Sequence, residues 1–389
     1  MYYLDHNATS PLRPESLLAL NHALSVGGNP SSVHAKGRAA RAIVEEARER
    51  VAALAGAKAD QVIFTSGATE ANNLALFGAA EGSLGGEDSR ITRLFVSAIE
   101  HSSVLATANK LVERFPWIRL ALLPVTADGV IDLEALRVAL REGKGRALVA
   151  VMAANNEIGT IQPIAEISRL VREAGALLLV DAVPAAGKIA LDFVHCDYMV
   201  LSAHKIGGPL GAGALLVQPG VPLAPQIVGG GHQKGLRAGS ENLSGSAGFG
   251  AAAHALADGA GERVRILHLR DSFETALKAA APEVLFFGAD QPRLCSTSGF
   301  AIPGVRAETA LIALDMDGVM MSAGSTCSSG KVKVSHVLAA MGVDDALAAC
   351  ALRASFGWSS TMADVTAAVE SLAKLRQRVR GSKTQSEAA

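Results

Sequence analysis

An excess of charge of either sign is what this sequence most plainly lacks. Lys plus Arg (36) stand against Asp plus Glu (37), a formal net charge of -1. That balance leaves no electrostatic basis for a nucleic-acid or membrane partner. Long apolar runs are absent as well. The longest uncharged stretch, residues 206–231, reads IGGPLGAGALLVQPGVPLAPQIVGGG, and its prolines and glycines would break a spanning helix. Cysteines are few and scattered at Cys196, Cys295, Cys327 and Cys350, with no CxxC pair and no dense framework. That spacing gives no metal-ligand signature and suits a reducing cytoplasm. The opening MYYLDHNATSPLRP has no basic region followed by an apolar run, so no secretory leader is read there. Aromatics make up only 4%.

What remains is an ordinary globular composition, 49% hydrophobic and 19% charged over 389 residues. A chain of that length exceeds what one core usually holds, so a second, smaller domain is expected. Through the first two thirds, short apolar runs alternate with amphipathic helical ones. Residues 38–55 place Ile43, Ala47, Val51 and Leu54 on one helical face, with Gly56 as a natural stop. VIFTSG (62–67) reads as a strand entering a tight turn, and ATEANNLALFGAA as the helix leaving it. RLFVSAIEH (93–101), RALVAVMAANN (146–156), ALLLVDAV (176–183) and YMVLSAHK (198–205) read as buried strands that end in polar residues. The alternation predicts an α/β fold, a largely parallel sheet with helices on both faces. Near residue 259 the pattern changes to a long helix, shorter strands and a final amphipathic helix near 362–380. The expected division is a large domain over 16–259, a small α+β domain from 1–15 and 260–380, and a polar tail over 381–389 expected to be disordered.

In such sheets ligands bind beyond the carboxyl ends of the strands. Ser66 to Thr69, His101, Asn155, Asp181 and Ser202 to Lys205 are therefore expected to meet in one crevice. SGATEANN (66–73) combines a glycine turn with a helix N-terminus, which favours an anion such as phosphate, and it also reads as a plain helix cap. Asp181 closes an apolar strand, where a carboxylate is costly unless paired, either with a loop N–H or with a protonated heterocyclic nitrogen. Lys205 precedes glycines and is either solvated surface or a desolvated amine able to form a Schiff base. His101 is either a satisfied core histidine or one that stacks on a flat ring and moves protons. Pyridoxal 5'-phosphate is the cofactor whose chemistry uses an anion cup, an aspartate, a histidine and a lysine together.

SGATEANN, EHSSV, NNEIG, VDAV, SAHKIGGPLGAG, GGGHQKGLRAGSEN, SAGSTCSSG and LRASFG occur in this order. In that order they resemble the cysteine desulfurases, class V enzymes of the pyridoxal-phosphate transferase fold (fold type I). The likeness runs from YLDHNAT at residue 3 to about residue 375. It implies that Lys205 holds the cofactor through a Schiff base, that Asp181 pairs with the pyridinium nitrogen and that His101 stacks on the ring. Ala68, Thr69, Ser202 and His204 would then hold the phosphate, with Ser240 reaching the phosphate of the other subunit of a homodimer. Asn155 would contact the cofactor's phenolic oxygen or the substrate, and Arg353 the substrate carboxylate with Asn7 nearby. One position departs from the family, which usually reads DA-x-Q where this chain reads Asp181, Ala182, Val183, Pro184. Proline offers no donor there, which bears on turnover and substrate preference.

Cys327 lies among Gly324, Ser325, Ser328, Ser329 and Gly330, residues that leave the backbone free, with Lys331 and Lys333 placed to favour a thiolate. The resemblance implies L-cysteine as substrate, L-alanine as product, and a persulfide on Cys327 passed to an acceptor such as an iron–sulfur cluster scaffold. Two alternatives stay open: a related class V enzyme, such as a selenocysteine lyase or a transaminase, and a catalytically weak, scaffold-like homologue.

Overall fold

The computed structural model describes residues 1–86, 89–257, 259–324 and 335–387, with side chains through residue 379. Its strands, in chain order, are β1 (Tyr2–Tyr3), β2 (Val62–Thr65), β3 (Ile91–Ser97), β4 (Arg119–Leu123), β5 (Arg146–Met152), β6 (Leu177–Asp181) and β7 (Tyr198–Ser202). They continue as β8 (Gly213–Val217), β9 (Leu285–Phe286), β10 (Thr297–Ala301), β11 (Val319–Met320), β12 (Ser322–Ala323) and β13 (Ala351–Ser355).

The main sheet has seven strands in the order β2-β8-β7-β6-β5-β3-β4. From β7 to β4 every pairing is parallel, and β8 alone runs antiparallel to both its neighbours. Successive side chains on a strand point to opposite faces. Val149, Val151, Leu178 and Val180 accordingly join one buried cluster, while Leu148, Ala150, Leu177 and Leu179 join another. Both faces are covered, which is why these strands read as unbroken apolar runs. The helix Ala35–Leu54 packs on the first face, and Gly56 beyond it takes a φ of +65, a left-handed conformation suited to glycine at a helix end. The helix Ala68–Gly82 packs on the second.

A four-stranded antiparallel sheet, β12-β13-β10-β9, forms from the C-terminal third. The chain's first residues lie beside it: β1 pairs with β11 in a separate two-stranded sheet, and Asp5 bridges Ser355 of β13. Leu4 is packed with Phe273, Phe300 and Phe356 in the cluster beneath this sheet. The closing helix spans Met362–Glu387, past residue 380 where the sequence reading ended it and began a disordered tail. Among the described residues no helix is long and apolar enough to cross a membrane.

Candidate active site

The carboxyl ends of the parallel strands open into a cavity of about 960 Å³, walled by Ala68, Thr69, His101, Asp181, Ser202 and Lys205 on one side and by Asn7 and Arg353 on the other. That volume is at the upper end of what small-ligand pockets have.

At the end of β2, the Thr65 hydroxyl donates to the carbonyl of Gly67 (3.0 Å), and Gly67 caps the helix Ala68–Gly82 without a side chain to accept its first N–H groups. Among the described residues no acceptor meets the main-chain N–H of Ala68, Thr69 or Glu70. Unpaired helix N-terminal donors facing a cavity make a natural anion site. Gly213 of β8 backs this turn closely, since a Cβ there would stand 2.6 Å from the Gly67 Cα. Burial pushes the Glu70 carboxyl up, but hydrogen bonds from Arg237 (2.7 Å) and Ser66 outweigh it and hold the group below its usual value. The carboxylate is thus neutralised beside the cup.

Asp181 is 3% exposed. Its Oδ1 accepts the main-chain N–H of Val183 (3.0 Å), and its Oδ2 accepts Asn72 Nδ2 (3.0 Å). The same Asn72 Nδ2 reaches Ser103 Oγ (3.0 Å), while Asn72 Oδ1 is buried without a partner among the described residues. His101 caps the helix Ser102–Arg114, with Nδ1 accepting the main-chain N–H of Ser103 (3.1 Å). A neutral ring so held carries its proton on Nε2. Burial pushes His101 below the ordinary histidine value; Asp181 opposes that shift, and Lys205 and His336 add to it. Next to it, Glu100 is fully buried, its Oε1 accepting the Met152 N–H (2.6 Å) and its Oε2 unpartnered. Burial and nearby Asp181 push the Glu100 carboxyl up from its ordinary value.

Lys205 sits in the short turn Ala203–Lys205 after β7 and donates to the carbonyls of Asn7 (2.5 Å) and Ala8 (2.8 Å). His204 contacts Thr9 Oγ1 (3.2 Å) and is pushed down to about 4 by burial and by Lys205. Arg353, in β13, donates to Asp5 Oδ1 (2.7 Å) and to the carbonyl of Asn156 (3.2 Å), and its buried Nε–H has no partner among the described residues. Asn7 Nδ2 donates to that same carbonyl (2.9 Å) and to Thr297 Oγ1 (2.9 Å), and its Oδ1 accepts Lys188 Nζ (3.1 Å). The N-terminal strand is what brings Asp5, Asn7 and Ala8 here.

Asn155, expected at the cofactor's phenolic oxygen or the substrate, is buried beside the cavity; Oδ1 accepts the N–H groups of Glu157 (2.8 Å) and Ile158 (3.1 Å), and Nδ2 donates to Ile99 (3.2 Å). Asparagine commonly closes a turn this way. Asn156 lines the cavity. Ser240 is exposed and is not among the lining residues. Cys327 lies outside the described residues, as does all of 325–334. The flanks of that segment meet one buried acid: Ser335 Oγ donates to Glu157 Oε2 (2.5 Å), and a Cβ at Gly324 would stand 2.5 Å from the same oxygen. Pro184 lines the cavity, so the family departure falls in the site itself. Sequence reasoning did not single out Asn72, Glu157, Lys188 or Arg237, whose parts depend on contacts distant in sequence.

An anion cup at a helix start, a buried aspartate and a lysine meet at the carboxyl edge of one mixed sheet. The chain belongs to the class V aminotransferases, whose family model, Aminotransferase class-V, matches residues 2–368. Among its relatives are cysteine desulfurases. An IscS-like cysteine desulfurase of Mycobacterium tuberculosis is 41% identical over 96% of this chain and 95% of its own length. A NifS-like protein from Rickettsia africae superposes with a TM-score of 0.87 at 31% identity, covering 97% of this chain and 99% of that one. SspA, solved in complex with cysteine, superposes with a TM-score of 0.80 at 28% identity, covering 93% and 100%.

Proposed function

We propose that this enzyme is a pyridoxal-phosphate-dependent cysteine desulfurase, taking sulfur from L-cysteine and releasing L-alanine. The observation that carries this reading is the meeting of Lys205, Asp181, His101 and Arg353 around one cavity beside the unpaired N–H groups of residues 68–70. The cofactor fits these residues: the N–H cluster suits a phosphate, and Asp181 suits a ring nitrogen that must stay protonated. Pyridoxal phosphate, when bound, supplies an electron sink for the pair left at the substrate α-carbon. Ala68, Thr69, Ser202 and His204 would hold its phosphate, and Lys205 would hold its aldehyde carbon. SspA's complex with cysteine supports cysteine as the ligand here.

Arg353 is the residue we assign to the substrate carboxylate, since it lines the cavity and its guanidinium has donors beyond the two given to Asp5 and the Asn156 carbonyl. Lys205 would also serve, as a neutral amine, as the base that takes the α-proton of the substrate and returns it. His101, neutral and protonated on Nε2, can donate a hydrogen bond towards the reacting centre. Cys327 is the thiol we assign to take the sulfur as a persulfide and pass it to an acceptor such as an iron–sulfur scaffold. Ser240, exposed and off the cavity, is consistent with a role towards the other subunit of a homodimer. We also read residues 16–259 as the cofactor domain and residues 1–15 with 260–380 as the small domain, with the enzyme working in the cytoplasm.

The test is an assay with L-cysteine and a thiol reductant. Wild type should release alanine and sulfide in equal amounts, and Cys327→Ser should still bind cysteine, seen as a change in the cofactor's absorbance, while releasing no sulfide. Sulfide release by Cys327→Ser at the wild-type rate would overturn the assignment.

A further inference from the structure

Lys188 has no part in the chemistry above, yet it lies at the wall between the main cavity and a small adjoining one. Its Nζ donates to Asn7 Oδ1 (3.1 Å), and the carbonyl of the same Asn7 accepts Lys205 Nζ (2.5 Å). Asn7 is held on its other sides too, by Thr297, by the Asn156 carbonyl and by Ser355 Oγ on its N–H (2.9 Å). One rigid residue therefore couples the two ammonium groups. We propose that Lys188 is a positioning residue for the cofactor lysine: its charge holds Asn7 against Lys205 and, as a like charge close by, keeps the neutral amine of Lys205 within reach at neutral pH.

The surroundings of Lys188 fit this part. Burial pushes it down to about 8; Cys295 works against that shift, and Lys205 and Arg353 add to it. His6, which also lines the small cavity, is held neutral by burial and by Lys188, Arg13 and Arg265, so it brings no counter-charge. Glu262, which also lines the small cavity, is paired with Arg13. Lys188 thus carries its proton at pH 7 and loses it just above, and its repulsion of a protonated Lys205 exists only while it is charged. Like charges disfavour one another's charged forms, so removing this one raises the pKa of Lys205 and lowers its reactive fraction.

The inference rests on the cofactor reading, and the experiment separates the two. Full-length protein stripped of cofactor is mixed with pyridoxal phosphate, and the rise of the visible absorbance band is followed from pH 6.5 to 9.5. Lys188→Met should load about tenfold more slowly than wild type at pH 7, the size expected for about one unit of like-charge repulsion. The gap should close as the pH passes 8, where the wild-type residue is itself neutral. Lys188→Arg should load as wild type does. Lys188→Gln, which keeps a donor without the charge, should behave as Met does and covers the case of a poorly folded Met variant. Equal loading of wild type and both uncharged variants at pH 7, or slowing of the same size at every pH, overturns the proposal while leaving the cofactor reading intact. Failure of the wild type to develop the band overturns both.

Discussion

Replacing Asn72 by alanine tests whether the aspartate beneath the cofactor site is held as the structure indicates. Asn72 is fully buried, and its Nδ2 supplies the only side-chain hydrogen bond to Asp181 among the described residues, at 3.0 Å. Losing a hydrogen bond to a charged acceptor costs about 1.5–3 kcal/mol. The Ser103 hydroxyl loses a donor at the same time. Against this, alanine removes the Asn72 Oδ1, a buried acceptor with no partner, and relief of such an atom returns about 1 kcal/mol. The net expectation is a loss of about 1–2 kcal/mol, or roughly 5–30-fold in an equilibrium constant. Urea unfolding of the cofactor-stripped protein should show a lower midpoint at unchanged slope. Affinity for pyridoxal phosphate should fall by a similar factor, because Asp181 is no longer held in place for the ring nitrogen. An Asn72→Ala protein with wild-type midpoint and wild-type cofactor affinity would refute the argument.

Gly213→Ala drives a Cβ to 2.6 Å from the Gly67 backbone, so it should cost about 1–3 kcal/mol and weaken cofactor binding, read by thermal unfolding and by equilibrium dialysis. Arg353→Lys cannot keep both the Asp5 and Asn156 contacts, and it should raise KM for cysteine by about tenfold or more with a smaller change in kcat; an unchanged KM removes Arg353 from substrate binding. His6 and His204 are depressed to about 3 and about 4, so between those values and 6.5 the unfolded chain binds more protons than the folded one. Their stabilising contribution is therefore complete above pH 6.5 and is lost as the pH falls towards 4, so the urea midpoint of the stripped protein should fall over that range and fall less in His6→Gln.

The polar residues that close apolar strands were the readable part of the site. Asp181, Ser202 and His101 lie where strand ends in a parallel sheet must bring them, and the sheet's character follows from runs such as ALLLVD. The strand β4 was missed because it lies at the sheet edge and is largely exposed, and β8 because it sits within a glycine-rich uncharged run. At the pair Asn155–Asn156 the sequence could not say which amide turns inward to close the turn; the hydrogen bonds to Glu157 and Ile158 decide it. Lys188, Asn72 and Asn7 gain their roles from partners between 31 and 348 positions away, contacts that no local pattern records.

The central claim is that Lys205, among all the amines near the cavity, is the one that holds the cofactor. Reducing the loaded protein with borohydride, digesting it and sequencing the peptides by mass spectrometry reads this directly. A pyridoxyl group is expected on Lys205, the lysine of SAHKIGG. A label on Lys188, or none on either lysine, would contradict it.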